Sequence, residues 1–195
     1  MKTKVFLSIV LTVLISVTTL AQENEKRFGF ELSSGVSMAT NKLSESTLNP
    51  GFGFEGIFHY RFMPHLGAYA GWGWNRLGAE ESFAGDDVCF EETGYVLGLQ
   101  FKHPFGDSPI QYYLRAGGLY NHIETENSDG DVFNDTGHGL GWQLAGGIDV
   151  PMGKKWSFTP GVKFNSLSRD SDFDEVTREL NHNYVSLRVG FLKRF

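Results

Sequence analysis

The chain has 195 residues, a formal net charge of -6 and one cysteine, Cys89. This length suits a single domain, and the acidic balance excludes a general nucleic-acid binder, so we expect no nucleic-acid partner. The lone cysteine excludes an internal disulfide. Backbone pairing and packing must therefore supply the stability.

Residues 1–21 have the features of a secretory signal peptide. Lys2 and Lys4 supply the positive charge, residues 5–17 are apolar, and Thr19-Leu20-Ala21 supplies the cleavage site. The apolar run is shorter than the roughly 20 residues that a membrane-spanning helix needs. We therefore expect cleavage after Ala21, which leaves a mature domain of residues 22–195.

The mature chain alternates apolar and polar residues from end to end. Aromatic residues make up 14% of the sequence and glycines number 24, a combination that favours strands over membrane helices. Eight segments fit the length of strands that cross a membrane in a barrel. They are residues 28–38, 52–62, 66–75, 94–102, 111–121, 140–150, 156–165 and 184–195. Gly56 and Ile57 are the exceptions to strict alternation in the second segment.

The connections between these segments alternate in length. Short connections are predicted at 63–65, 104–109 and 152–155, and long loops at 39–50, 75–92, 122–138 and 167–182. An even strand number, with both termini at the end that carries the short turns, is typical of outer-membrane barrels. The sequence therefore predicts an all-β fold, an eight-stranded antiparallel up-and-down transmembrane β-barrel.

The glycines indicate which face of the strands lines the lumen. They fall on the polar face, where a narrow interior needs missing side chains to make room for long ones. The long polar residues of that face are expected to form a charge network inside the barrel. Its predicted members are Glu31, Glu55, Arg61, Lys102, Arg115, Asp149, Lys163 and Arg188. The aromatic residues expected at the two membrane interfaces are Trp72, Trp74, Tyr95, Tyr112, Tyr120, Trp142 and Trp156.

The last strand carries the most specific sequence signal. Its alternating apolar positions are Val185, Leu187, Val189, Phe191 and the terminal Phe195. With the rest of residues 26–195, this strand resembles the small outer-membrane barrels of the OmpA transmembrane domain and OmpX type. The resemblance implies a bacterial outer-membrane location, contact with membrane lipid and lipopolysaccharide, and recognition of the last strand by the outer-membrane assembly machinery.

The lumen has two interpretations. A barrel of about eight strands has an interior just wide enough for side chains, which favours a packed polar plug over an ion path or a narrow porin-like channel. Unpaired charges inside would be costly, so we expect Glu31 and Glu55 to pair with Arg61, Arg115 or Arg188.

The predicted long loops are rich in acidic residues and form the candidate site for an extracellular ligand. Divalent cations that bridge lipopolysaccharide phosphates are one interpretation of these loops, but Asp129-Gly130-Asp131 lacks the ordered ligand spacing of a calcium loop. A solvated acidic surface is therefore favoured; we assign no metal, and the sequence indicates no cofactor. The acidic loop residues are Glu80, Glu81, Asp86, Asp87, Glu91, Glu92, Glu124, Glu126, Asp129, Asp131, Asp135, Asp170, Asp172, Asp174, Glu175 and Glu179.

A rim hydrolase acting on lipid A or peptide is the weaker alternative. Its candidate groups are His122, His138, His182, Ser166 and Ser168, which form no recognisable catalytic motif. Cys89 is interpreted as an unpaired loop thiol. The predicted function is therefore a non-enzymatic outer-membrane barrel with a structural or adhesin-like surface role and a plugged lumen.

Overall fold

The structure is a computed structural model that describes residues 26–173 and 176–195. The predicted signal peptide lies outside these residues. In the described part of the chain no helix is long and apolar enough to cross a membrane. Its strands are β1 (Phe28–Ala39), β2 (Gly51–Arg61), β3 (Leu66–Ser82), β4 (Gly85–Pro104), β5 (Gln111–Glu126), β6 (Val132–Asp135), β7 (Gly139–Met152), β8 (Trp156–Phe158), β9 (Gly161–Phe173) and β10 (Val176–Arg194).

The strands close into a ring in which every neighbour is antiparallel. β1 pairs with β2 on one side and with β10 on the other, and β5 pairs with β7. β8 and β9 both lie between β7 and β10. The short β6 pairs with the tip of β5, outside the ring.

β8 and β9 form one barrel strand, because both keep the same register against β10. Phe158 is the partner of Phe191, and Gly161 is the partner of Arg188. Pro160 separates the two strands because proline has no backbone N–H to donate, although its carbonyl accepts a hydrogen bond from Ile148 N at 3.0 Å. The ring therefore has eight strands, and the predicted barrel is confirmed.

The apolar face of the strands points outward, as it must in lipid. Leu97 and Leu140 are 69% and 82% exposed, whereas the inward Tyr69 and Gln143 are each 1% exposed. Aromatic rings form contacts near each end of the apolar band, the pattern of interfacial girdles. One belt contains Phe54, Trp72, Trp74, Tyr95, Tyr120 and Trp142, and the other contains Phe28, Tyr60, Phe101, Phe105, Tyr112, Trp156 and Phe195.

Glycines make room for a large lumen side chain on the inner wall. Gly98 and Gly117 are direct cross-strand partners. A Cβ at Gly98 would lie 2.8 Å from Tyr69 Cε1, and one at Gly117 would lie 2.5 Å from the Tyr69 hydroxyl. The ring of Tyr69 occupies the space that these two residues leave free.

Gly56 and Ile57 are the exceptions to apolar–polar alternation in β2, as predicted for the second segment. The side chains of β2 still alternate between its two faces: Gly56 faces outward, and Ile57 faces the lumen with no exposed surface. There Ile57 packs in a small apolar cluster with Tyr69, Val96 and Leu119. The lumen is therefore polar in general but holds an apolar patch, which accounts for the exception at Ile57.

Three of the predicted long loops are instead extensions of the barrel strands. β3 runs to Ser82 and β4 starts at Gly85, so the predicted loop 75–92 is a tight β-hairpin. β5 with β6 replaces most of loop 122–138, and β9 with β10 replaces most of loop 167–182. The connection 40–50 has an isolated bridge between Leu43 and Ser46. We call this end of the barrel the hairpin end, and the opposite end the turn end.

An apolar cluster explains why the strands continue beyond the membrane. Inward-facing side chains of the extensions pack together at the hairpin end, and Phe83 and Leu48 pack against them. Burial of this surface offsets the entropy of ordering the hairpins. We call the cluster the apolar cap; it consists of Leu43, Ala79, Val88, Phe90, Ile123, Leu167, Phe173 and Leu180.

Candidate functional site

The central lumen is organised around a buried pair, Glu31 of β1 and Arg115 of β5. Arg115 donates from Nη2 to Glu31 Oε2 at 2.5 Å and from Nη1 to Oε1 at 3.2 Å, the two-point geometry that guanidinium and carboxylate favour. His59 Nε2 lies 3.2 Å from the same carboxylate. The guanidinium also donates to Gln100 and lies over the ring of Tyr113, 4.3 Å from its centroid. These contacts tie together strands on opposite sides of the ring.

Glu55 occupies a second buried position in the lumen. Its carboxylate accepts hydrogen bonds from Gln143 Nε2 at 2.9 Å and from Lys163 Nζ at 3.3 Å. Arg188 donates to the carbonyl of Ser33 at 2.9 Å. The pairing hypothesis thus named the observed partner of Glu31, but Glu55 pairs with Lys163, which was not among the proposed partners.

Asp149 closes the network toward the turn end and has no exposed surface. Lys102 Nζ donates to its Oδ2 at 2.7 Å, and Arg194 Nη2 donates to the same atom at 2.5 Å. Arg194, next to the end of the chain, was not among the predicted members of the charge network. Lys102, Arg61 and Arg194 also line a cavity of about 300 Å³ that opens at the turn end. We call the buried polar side chains around Glu31, Glu55 and Asp149 the lumen network.

Glu92 corrects the prediction that it belongs to an acidic loop. It lies on β4, faces the lumen and is 2% exposed. Asn121 Nδ2 and Asn165 Nδ2 donate to its Oε1 at 2.5 and 3.2 Å, and His182 Nε2 lies 3.9 Å from Oε2. The signal for this placement was present, because the polar-face alternation of β4 continues from Gly94 back through Glu92.

Little space remains between these side chains. A cavity beside Glu31, Arg115 and Lys163 has a volume of about 20 Å³, and one beside Glu55 and Glu92 has about 10 Å³. Such volumes hold about one water molecule each. Above them the apolar cap fills the hairpin end, so two chemically different layers obstruct the lumen formed by the described residues.

The structure does not assemble the candidate groups of a rim hydrolase. His182 faces the lumen and is 1% exposed, whereas His122 lies on the outer side of β5, stacked on His138. Ser168 Oγ donates to Glu179 at 3.2 Å. Cys89 lies on β4 and not in a loop, which corrects the earlier interpretation, and it is a free thiol.

Together the closed ring, the outward apolar band and the polar lumen define an integral β-barrel of the bacterial outer membrane. The chain belongs to the outer membrane protein beta-barrel domain family, whose family model matches residues 7–192. Among curated proteins, none matches the sequence.

Solved structures of outer-membrane barrels share the fold. Neisserial surface protein A is similar with a TM-score of 0.66 and 15% sequence identity, over 86% of this chain and 97% of that one. OprG from Pseudomonas aeruginosa gives a TM-score of 0.59 at 16% identity, with 88% and 97% of the two chains covered. Outer Membrane Protein W from E. coli gives 0.55 at 14% identity, with 89% and 100% covered. At these identities the likeness extends to the fold alone.

Proposed function

We propose that this protein is a non-conducting, non-enzymatic scaffold that presents ordered hairpins on the cell surface for contact with a partner. The observation that carries the proposal is the doubly obstructed lumen. The lumen network fills the membrane-level interior, and the apolar cap fills the hairpin end. Because such a barrel offers no passage for solutes, its exposed ends are the surfaces on which a function can be sought.

The hairpin end suits a surface role because it is both ordered and chemically distinctive. Backbone pairing holds β3 with β4 and β9 with β10 far beyond the aromatic belt. Apolar side chains are nevertheless exposed at the tips: Val132 and Phe133 are each 49% exposed, and Val176 is 52% exposed. Exposed apolar groups rimmed by acidic residues are typical of interaction surfaces.

Planar-bilayer recording of the refolded mature chain tests the closed lumen. Heat-modifiable gel migration first verifies that the barrel has formed. We expect a folded barrel that inserts and shows no discrete openings. Steady openings of uniform size would reject the plug and support the narrow channel instead.

Adhesion of a non-adherent bacterial host that expresses the protein tests the surface role. Its binding to epithelial monolayers is compared for the wild type, a tip variant Val132→Ser/Phe133→Ser, and a control Met63→Ser. Met63 is a matched control because it is 55% exposed but lies at the turn end. We expect the wild type and control to adhere and the tip variant to lose adhesion. Equal adhesion of all three, or none by the wild type, would contradict the adhesive role.

The proposal includes assembly through the last strand and residence among outer-membrane lipid and lipopolysaccharide. The apolar side chains of the last strand face outward, where a partner strand or lipid can contact them. They are Leu187, Val189, Phe191 and Phe195. Deletion of Phe195 should lower the amount of heat-modifiable barrel in the outer membrane. An undiminished amount would show that assembly does not depend on this residue.

A further inference from the structure

A cluster of histidine and carboxylate side chains lies on the outer surface of the barrel, beyond the aromatic belt at the hairpin end. His122 and Glu124 belong to the outward face of β5, two and four positions after the belt residue Tyr120. Asp135 ends β6 and is the direct cross-strand partner of Glu124. His138 follows shortly after. Neither the lumen network nor the proposed tip surface uses these groups.

The donor atoms of this cluster are close together. His122 Nδ1 lies 2.9 Å from Asp135 Oδ1. One ligand atom from each of His122, Glu124 and Asp135 lies within 4.8 Å of the others. The ring of His138 stacks on that of His122, with centroids 4.4 Å apart and an angle of 14° between the planes. The imidazole of His138 is therefore close enough to act as an additional ligand.

The charges of the cluster also indicate a cation. Asp135 lies directly opposite another carboxylate, Glu124, across the β5–β6 pair. Like charges that face each other across a strand pair are unfavourable, and a cation between them removes the repulsion.

We propose that His122, Glu124 and Asp135, with His138 as an additional ligand, bind a divalent transition-metal ion. A mixed set of imidazole and carboxylate donors suits Zn²⁺, Ni²⁺ or Cu²⁺ better than Ca²⁺ or Mg²⁺, which prefer oxygen donors alone. No metal was predicted from the sequence because the acidic loops lack the spacing of a calcium loop. The present donors come from two strands that the sequence did not pair.

Calorimetric titration of ZnCl₂ into the refolded, tag-free chain in detergent micelles tests the site. We expect saturable binding at one ion per chain, and CaCl₂ should bind much more weakly. His122→Gln and Asp135→Asn should each weaken Zn²⁺ binding by about tenfold or more, since even outer-shell changes at metal sites cost that much. His138→Gln should weaken it too.

The protein contains a matched control at its other end. His65 and His103 are also stacked, with centroids 4.8 Å apart, and the cluster that holds three ligand groups does not include them. His103→Gln should leave Zn²⁺ binding unchanged. The proposal is overturned if no saturable binding occurs, if Ca²⁺ binds as tightly as Zn²⁺, or if His122→Gln binds like the wild type in a heat-modifiable barrel.

Discussion

Arg115 illustrates how a charge is held in the central lumen, where almost no free volume remains. Its guanidinium contacts Glu31, Gln100 and the face of Tyr113, so most of its donors have partners. A buried ion pair of this kind is weak evidence for net stability, but breaking it leaves one charge alone in a low dielectric. The net contribution of the pair and the cost of leaving one charge unpaired can be measured separately.

We predict that Arg115→Met lowers the free energy of unfolding by about 3–5 kcal/mol, because Glu31 is left buried without its partner. The double variant Glu31→Gln/Arg115→Met should recover much of this loss. Urea unfolding in lipid vesicles, followed by gel mobility, measures both. Lys155→Met, at an exposed turn, is the control. A double variant no more stable than the single one would show that the loss comes from packing and not from an uncompensated charge.

Gly117 and its neighbour Gly118 allow a second comparison at single-residue resolution. A Cβ at Gly117 would meet the Tyr69 hydroxyl at 2.5 Å, whereas one at Gly118 would meet nothing within 4 Å. Gly117→Ala should therefore destabilise the barrel by about 1–3 kcal/mol, the usual range for overpacking, and Gly118→Ala should change little. Adding Tyr69→Phe to Gly117→Ala removes the clashing oxygen and should restore part of the stability. Equal effects of the two alanines would refute the steric role of Gly117.

At the scale of elements, the apolar cap is what turns the expected loops into strands. Phe90 has no exposed surface and contacts Phe83 at 5.7 Å between ring centroids. Phe90→Ala should cost about 3–5 kcal/mol locally, which loosens the hairpin end while the membrane-level barrel stays closed. Limited proteolysis should then cut within 79–88 in a barrel that remains heat-modifiable. Phe133→Ala, at a position 49% exposed, should leave the cleavage rate unchanged.

The alternation of apolar and polar residues was enough to predict most of the fold, because each strand faces the lumen on one side and lipid on the other. It located every membrane-spanning strand and the inward position of Glu31, Glu55 and Arg115. It failed where acidic residues such as Glu91 and Glu92 were read as loop signals, although Phe90 and Val88 continue the same inward series. Cross-strand contacts such as Glu55 with Lys163 depend on register, which a single sequence does not specify.

At the scale of the whole molecule, the barrel combines a rigid closed wall with two obstructions in series. The lumen network spans the membrane level, and the apolar cap lies above it at the hairpin end. The network excludes free space by pairing charges, and the cap does so by packing side chains. Because the two layers are separate, we expect loss of either one to leave the other in place and the lumen closed.

The last prediction follows from this redundancy. A cap variant, Phe90→Ser/Leu180→Ser, and a network variant, Glu31→Ser/Arg115→Ser, should each insert into planar bilayers as folded barrels without discrete openings. A conducting porin added afterwards verifies that the bilayer reports channels. Openings in the network variant would mean that the cap does not seal the hairpin end, and openings in the cap variant would mean that the buried charges leave an ion path. Absence of openings in both variants would support the view that each layer closes the lumen independently. The search for function would then turn to the outer surface.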